Sequence, residues 1–529
     1  MSNSDIDGRG PDYQVEDMRI FLNCSPEQTA VHRSRLRYAF RLFCALYGHQ
    51  PVERAERADA WISYAPGYTR GRPKPRLMLS NLYRPRSPYD PAPPPQKYER
   101  HGKGTILYYA PVPGEEPDWL GEIFEWVSCA DEYSVRRRDP VGRAAFADTY
   151  VGRHHLDVRV PYAAVAMEFL ARALGRLVPG ASVEPASPVA SVRHFIVQTH
   201  DVDYLAVGRL NGVARLTKNA AISALQSKRP ALSLKQARMA LRMALHGGDP
   251  LDQIPALVKG QTERGVSASY YFLTRHLHRR DANYTIDQPG LVDLMRSLEA
   301  EGMEVGVHGS YTCLDEPSGL ADEYASMRAL GFRPLGGRQH WLRFTLDRLI
   351  PALERAKALY DTSFGWCDRI GFPAGACFAF PPYCFEQERP ATFLEIPMAI
   401  MDVSLRNGEY EEAQWYDASA ELLSASRRYG WGGISLLWHP ATLGGGWLAH
   451  EAGEAFWRLL DHRQEWNDTW VSAAAFLQSV GQRYVDVGLL PAEYASPEPG
   501  EPRLVEFKSR LPLKGKGSLT GASPGTRRR

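Results

Sequence analysis

From His194 onward, apolar runs of strand length alternate with segments of helical period. HFIVQTHDVDYL (194–205), VSASYYFLT, MEVGVHGSY, PLGGRQHWLRF, FLEIPMAIMDVS and GGISLLWHP read as strands. LDQIPALVKGQTERG, GLVDLMRSLEAEG, ADEYASMRALG, LDRLIPALERAKALYDTS and ASAELLSASRRYG read as the helices between them. Strand and helix taking turns predicts α/β architecture with parallel strands. Strands buried on both faces form continuous apolar runs, and several of these finish on a reactive residue: Asp201, His308, His340, Asp402 and His439. The C-terminal strand ends of a parallel barrel share one rim, where ligands collect. A doubly wound sheet also gathers ligands at strand ends, but it would draw on fewer strands. The pattern therefore predicts a distorted (β/α) barrel of seven or eight parallel strands over residues 190–485.

The chain before it is more mixed. Residues 1–25 are polar and are expected to form a flexible N-terminus. Residues 26–50 have helical spacing, and ADAWISYAP, PRLMLSN and GTILYYAPV read as short strands. SPYDPAPPPQKYER is expected to be loop. DWLGEIFEWVSCADEYS and RVPYAAVAMEFLARALGRLV read as helices, the second stopping at Pro179-Gly180. Residues 26–185 are thus expected to form a smaller α+β accessory domain. Residues 495–529 lack apolar periodicity, and from Phe507 they carry only cationic charge, the pattern of a disordered basic tail.

Composition changes this picture little. The 529 residues are 44% hydrophobic and 23% charged, with net charge +2. There is no global electrostatic case for nucleic acid. Seven cysteines at 24, 44, 129, 313, 367, 377 and 384 form no Cys-x-x-Cys pair, so they suggest buried thiols rather than a disulfide framework or zinc-cysteine site. No basic segment leads into an apolar run at the N-terminus, and no stretch approaches the ~18 apolar residues of a membrane span. A cytoplasmic chain without a membrane span is expected.

The chemistry begins at Asp201 and Asp203. Two residues apart on an extended backbone, their carboxylates share a side. Like charges held close at the end of a buried strand call for an offsetting cation. One carboxylate on a metal and the other acting as a base meets that need. A pair capping a loop or helix meets the local pattern equally well. His308 leaves its strand into a Gly-Ser turn, placed to ligate metal or to satisfy the turn. Gly336-Gly337 reads as a turn leading into Arg338, His340 and Arg343 beside Trp341 and Phe344. His439 arrives at the end of an apolar run. His154-His155 is set aside as a metal pair, because adjacent residues of a strand face opposite sides.

THDVD (199–203), VGVHGSY (305–311), RQHWLRF (338–344), YDTSFGWCDRIGFPAGACFAF (360–380) and LLWHP (436–440), in this order, resemble the motifs of the polysaccharide deacetylases of carbohydrate esterase family 4, the NodB-like domains. The resemblance covers about residues 190–480. Residues 115–165 are similar to an uncharacterised N-terminal domain that accompanies one bacterial branch.

The resemblance implies a general base at Asp201, a metal carboxylate at Asp203, a metal histidine at His308 and a general acid at His439 oriented by Asp402. Arg338 or Arg343 would hold the base. The family usually has a second metal histidine four residues after the first. That position is Thr312 here, and His340 is the candidate replacement. The implied cofactor is a divalent metal, Zn²⁺ first, with Co²⁺, Mn²⁺ or Ni²⁺ accepted by such mixed sites. The implied activity is metal-dependent removal of an N-acetyl or related acyl group from a sugar or polysaccharide precursor. Tyr204, Tyr311, Trp341 and Trp438 would contact the carbohydrate or pack in the barrel. Two alternatives accompany this reading: another C–N hydrolase on a small amide, and a non-catalytic carbohydrate-binding or scaffold protein on the same fold.

Overall fold

The computed structural model describes residues 18–65, 74–100, 102–135, 137–205, 209–225, 230–247, 252–408, 410–443 and 452–494. The expected basic tail at 495–529, and residues 1–17 of the expected flexible N-terminus, lie outside the described residues.

The N-terminal part holds a four-stranded sheet of β1 (Arg19–Asn23), β2 (Gln50–Val52), β3 (Ala60–Ser63) and β4 (Arg76–Met78), in the order β2-β1-β3-β4. All its pairs are parallel. The helix Ala30–Tyr47 makes the β1-to-β2 crossover that parallel strands require. Thr29 caps its first turn, accepting from the His32 amide, and Gly48 ends it in the left-handed conformation at φ 72°. Part of the proline-rich stretch departs from the loop expectation: β5 (Gln96–Arg100) pairs antiparallel with β6 (Lys103–Leu107). His154 and His155 follow a one-turn helix, Tyr150–Arg153, rather than lying in a strand.

The larger sheet is built on β7 (His194–Val202), whose nine residues are all buried. Beside it run β8 (Ser269–Leu273), β9 (Glu304–Gly309), β10 (Gly336–Gln339) and β11 (Tyr360–Asp361). A short antiparallel pair, β12 (Tyr383–Cys384) with β13 (Arg389–Pro390), interrupts the series. Next come β14 (Leu394–Glu395), β15 (Met398–Met401) and β16 (Gly432–Leu437), and every pairing along the path β14-β11-β10-β9-β8-β7-β16-β15 is parallel. β14 and β15 are successive pieces of one segment. Its Ile396 amide donates to Asp361 of β11, and its Pro397 carbonyl accepts from Ser435 of β16. The two edges of the curled sheet therefore meet on this segment. β17 (Asp468–Val471) flanks the N-terminal half of β7.

Gly336 and Gly337 are not a turn. They lie within β10, where a Cβ on Gly337 would fall 1.8 Å from the Val307 carbonyl oxygen and one on Gly336 2.4 Å from that of Tyr360. The missing side chains let three strands crowd together directly below the rim.

The N-terminal part and the barrel share one continuous core. Tyr38 Oη donates to the Pro381 carbonyl at 2.7 Å, and Arg35 pairs with Glu388 at 2.6 Å. Two helices between β7 and β8, Arg209–Leu225 and Pro230–His246, pack on each other as a hairpin that the sequence pattern did not announce.

Candidate metal centre and active site

The rim collects residues from β7, β9, β10, β15 and β16. Asp201 is the penultimate residue of β7 and Asp203 lies just past its end. Strand alternation turns His200 the other way. Its Nδ1 donates to the Trp438 carbonyl at 2.6 Å, and Gln261 Nε2 donates to its Nε2 at 2.8 Å. Burial drives this imidazole down to about pKa 4, so His200 is a neutral structural residue.

Arg338 rises inside the barrel from β10 and is 1% exposed. Its Nη1 donates to Asp201 Oδ1 at 2.8 Å, its Nε donates to the Thr362 carbonyl at 2.9 Å, and the Tyr271 ring lies 5.4 Å from its guanidinium carbon. A buried guanidinium needs a paired carboxylate, and Asp201 is that partner. Arg343 does not join it. It donates to the Tyr311 carbonyl at 2.8 Å and pairs with Asp315 at 2.9 Å. The arginine beside the expected base is Arg338, because only that residue lies in the strand, ahead of the turn at His340–Leu342.

His308 and His340 meet over Asp203. His308 Nδ1 lies 2.9 Å from the Arg338 carbonyl, and His340 Nε2 lies 2.7 Å from the Arg280 carbonyl. Carbonyl oxygens only accept, so these two nitrogens carry the protons. The remaining nitrogens, His308 Nε2 and His340 Nδ1, face each other at 2.9 Å. Asp203 Oδ1 stands 3.3 Å from the first and 3.4 Å from the second, and it is buried without a hydrogen bond. With neutral rings, three acceptors converge on one point with no donor between them. Burial holds His340 below its ordinary pKa against the pull of Asp203. For His308, burial is outweighed by Asp201 and Asp203, which raise it. Burial likewise opposes the charge on Asp203, but His340, His308 and His439 hold it well below the usual carboxylate range. Such a cluster needs a shared positive charge at its centre. Among the described residues, Asp203, His308 and His340 are the group whose ligand atoms, all within 4.8 Å of one another, could hold a metal ion. The second nitrogen of each ring is anchored on a backbone carbonyl, the usual arrangement behind a metal-binding histidine.

Across the cavity, His439 follows β16. Its Nδ1 lies 2.8 Å from Asp402 Oδ1, its amide donates to Asp402 Oδ2 at 2.9 Å, and its Nε2 points toward Asp203 Oδ2 at 3.6 Å. Burial disfavours the imidazolium, but Asp402 and then Asp203 outweigh it and push the pKa up to about 9. Thr442 Oγ1 donates to the same Asp402 oxygen at 2.6 Å.

Asp201, Asp203, His308, His340 and His439 line a cavity of about 280 Å³ that Tyr204, Trp341, Leu437, Arg143, Arg215 and Arg406 also border. Trp341 is 40% exposed and sits at φ 62°, with Leu342 at φ 53° after it. Two successive left-handed non-glycine residues mark a strained turn, directly after His340. Trp438 is not at the site. It is fully buried against Phe456, with ring centroids 5.6 Å apart, on the face opposite His439. Tyr311 stacks on His278 and donates to the Val141 carbonyl, outside the cavity lining. Thr312 belongs to a turn after β9, and His340 occupies the position beside His308.

Sequence reading missed Thr442, the Arg280 carbonyl, and Arg143, Arg215 and Arg406. Thr442 lies three residues past His439. The others reach the site only through tertiary packing and leave no local signal.

No family model matches the chain, and no curated protein matches it. The structure of peptidoglycan deacetylase PdaC from Bacillus subtilis, and that of a point mutant of it, are similar to it at 10% identity, with 56% of this chain and 96% of that chain covered and a TM-score of 0.27.

Proposed function

We propose that this protein is a metal-dependent hydrolase that removes an N-acetyl or related acyl group from a sugar or polysaccharide precursor. The observation that carries this reading is the convergence of His308 Nε2, His340 Nδ1 and the hydrogen-bond-free Asp203 Oδ1 on one point. It lies between a carboxylate held by Arg338 and an imidazolium held by Asp402.

The two imidazoles and the carboxylate would hold a divalent ion, Zn²⁺ by donor type, with Co²⁺, Mn²⁺ and Ni²⁺ compatible. When bound, it would act as a Lewis acid on the acyl oxygen and make water more acidic. Arg338 occupies Asp201 Oδ1, which leaves Oδ2, 3.6 Å from His308 Nε2, for the reacting side. Asp201 accepts a proton from the attacking water as its oxygen bonds to the acyl carbon. The amine cannot leave as an anion, so the C–N bond breaks as His439 Nε2 passes its proton to nitrogen. A pKa pushed up to about 9 keeps that proton available near neutral pH. The products are a carboxylic acid and a free amine. Trp341 and Tyr204, at the cavity edge, offer ring faces to a sugar.

The test is acetate release from acetylated amino-sugar oligomers by the full chain. Asp201→Asn should abolish release with metal content retained. Glycan binding with no acetate release, metal present, would replace the hydrolase with a scaffold.

A further inference from the structure

The helical hairpin Arg209–Leu225 and Pro230–His246 supplies no candidate metal ligand, yet it stands at the cavity mouth. Leu216, Ala240 and Met243 pack with Ala441, Tyr204 and Val213 at its base, and Arg215 borders the cavity. The inner faces of the two helices satisfy each other, with Ser223 Oγ donating to Gln236 Oε1 at 2.8 Å.

The outer faces are unusual. Leu210, Leu225, Leu234, Leu241 and Leu245 are between 53% and 86% exposed. Leu234, Leu241 and Leu245 fall on one stripe of the second helix, with Lys235, Arg238 and Arg242 around it. Lys218, Ile222 and Leu225 share a face of the first. A helix face that meets only water carries charges of both signs and few large apolar side chains. A single exposed leucine needs no explanation, but five on two adjacent helices do. From residue 204 to residue 248 the sequence has eight lysines and arginines and no aspartate or glutamate.

Leucines with a purely cationic complement fit the surface of an anionic bilayer, where apolar side chains enter the acyl boundary and cations meet the headgroups. A second copy of the chain fits poorly, since it would bring the same cations face to face. Among the described residues no helix is long and apolar enough to cross a membrane, so the contact is with the surface. We propose that this hairpin docks the protein onto an anionic lipid membrane, with the cavity mouth beside the bilayer. The docking surface stands independently of the hydrolysis reading.

The full chain is sedimented with vesicles of phosphatidylcholine alone and of phosphatidylcholine mixed with phosphatidylglycerol. Partition onto the mixed vesicles should exceed that onto the neutral ones by about 10-fold and weaken with added salt. Combining Leu234→Ser, Leu241→Ser and Leu245→Ser should reduce it about 10-fold with an unchanged melting temperature. Combining Lys235→Gln, Arg238→Gln and Arg242→Gln should erase the preference for phosphatidylglycerol. A wild-type chain that stays in the supernatant, or leucine substitutions without effect, would overturn the proposal. So would a vesicle-free dimer that the leucine substitutions convert to monomer, because the face would then belong to a second copy.

Discussion

One carboxylate, that of Asp402, fixes both the ring and the backbone of His439: Oδ1 lies 2.8 Å from the ring Nδ1 and Oδ2 2.9 Å from the amide nitrogen. The proposed acid is therefore positioned by a residue from a different strand end. Asp402→Asn keeps the shape but removes the charge that retains the proton on His439. The variant should lose about 10²-fold or more in kcat, with KM changed little, in an acetate-release assay. Thr442→Val, which removes one hydrogen bond to Asp402, should cost less.

Gly337→Ala tests how β10 is seated. The added Cβ would fall 1.8 Å from the Val307 carbonyl oxygen, a backbone atom that cannot step aside. Overpacking here should destabilise by about 3 kcal/mol or more, read as a drop in urea midpoint. It should also lower metal affinity, because Arg338 and His340 follow on the same strand end.

Glu323 gives a pH signature separate from the groups proposed to carry the reaction. It accepts from the Ser310 amide at 3.0 Å and from the Ser310 hydroxyl, and burial pushes its pKa up to about 7 from an ordinary 4.5. Between these values the native state holds a proton that the unfolded state has released, so stability falls as pH rises through the window. The raised pKa corresponds to roughly 3 kcal/mol lost by pH 7 and above. Glu323→Gln mimics the protonated acid. Urea unfolding against pH should show this slope in the wild-type chain and its loss in the variant.

Trp341 and Trp438 occupy opposite environments, one 40% exposed at the mouth and the other fully buried. Trp438→Ala should cost about 3–5 kcal/mol of stability. Trp341→Ala should leave stability within about 0.5 kcal/mol and raise KM for a glycan.

The ordering of the barrel was legible because its strands are buried on both faces. A run such as HFIVQ needs no partner to be recognised, and a reactive residue at its end points to the rim. Three kinds of information were not legible. The direction of a residue just past a strand end is set by neighbouring strands, which is why Trp438 was grouped with His439 although it packs on Phe456. Close backbone approach has no local signature, so Gly336-Gly337 read as a turn. The hairpin at 209–246 escaped because its outward leucines blur the apolar stripe that marks a surface helix, and β5 because QKYER has little apolar character beside its proline run. At the site, Asp201, Asp203, His308, His340, Asp402 and His439 converge. The choice between Arg338 and Arg343 required knowing where β10 ends.

Whether Asp203, His308 and His340 form a metal centre is decided by metal content and affinity, from elemental mass spectrometry and competitive chelation, in the wild-type chain and in Asp203→Ala and His340→Ala. The proposed three-ligand site requires about one tightly held divalent ion per wild-type chain and an affinity lower by at least about 10²-fold in each variant. Wild-type affinity persisting in His340→Ala would contradict it.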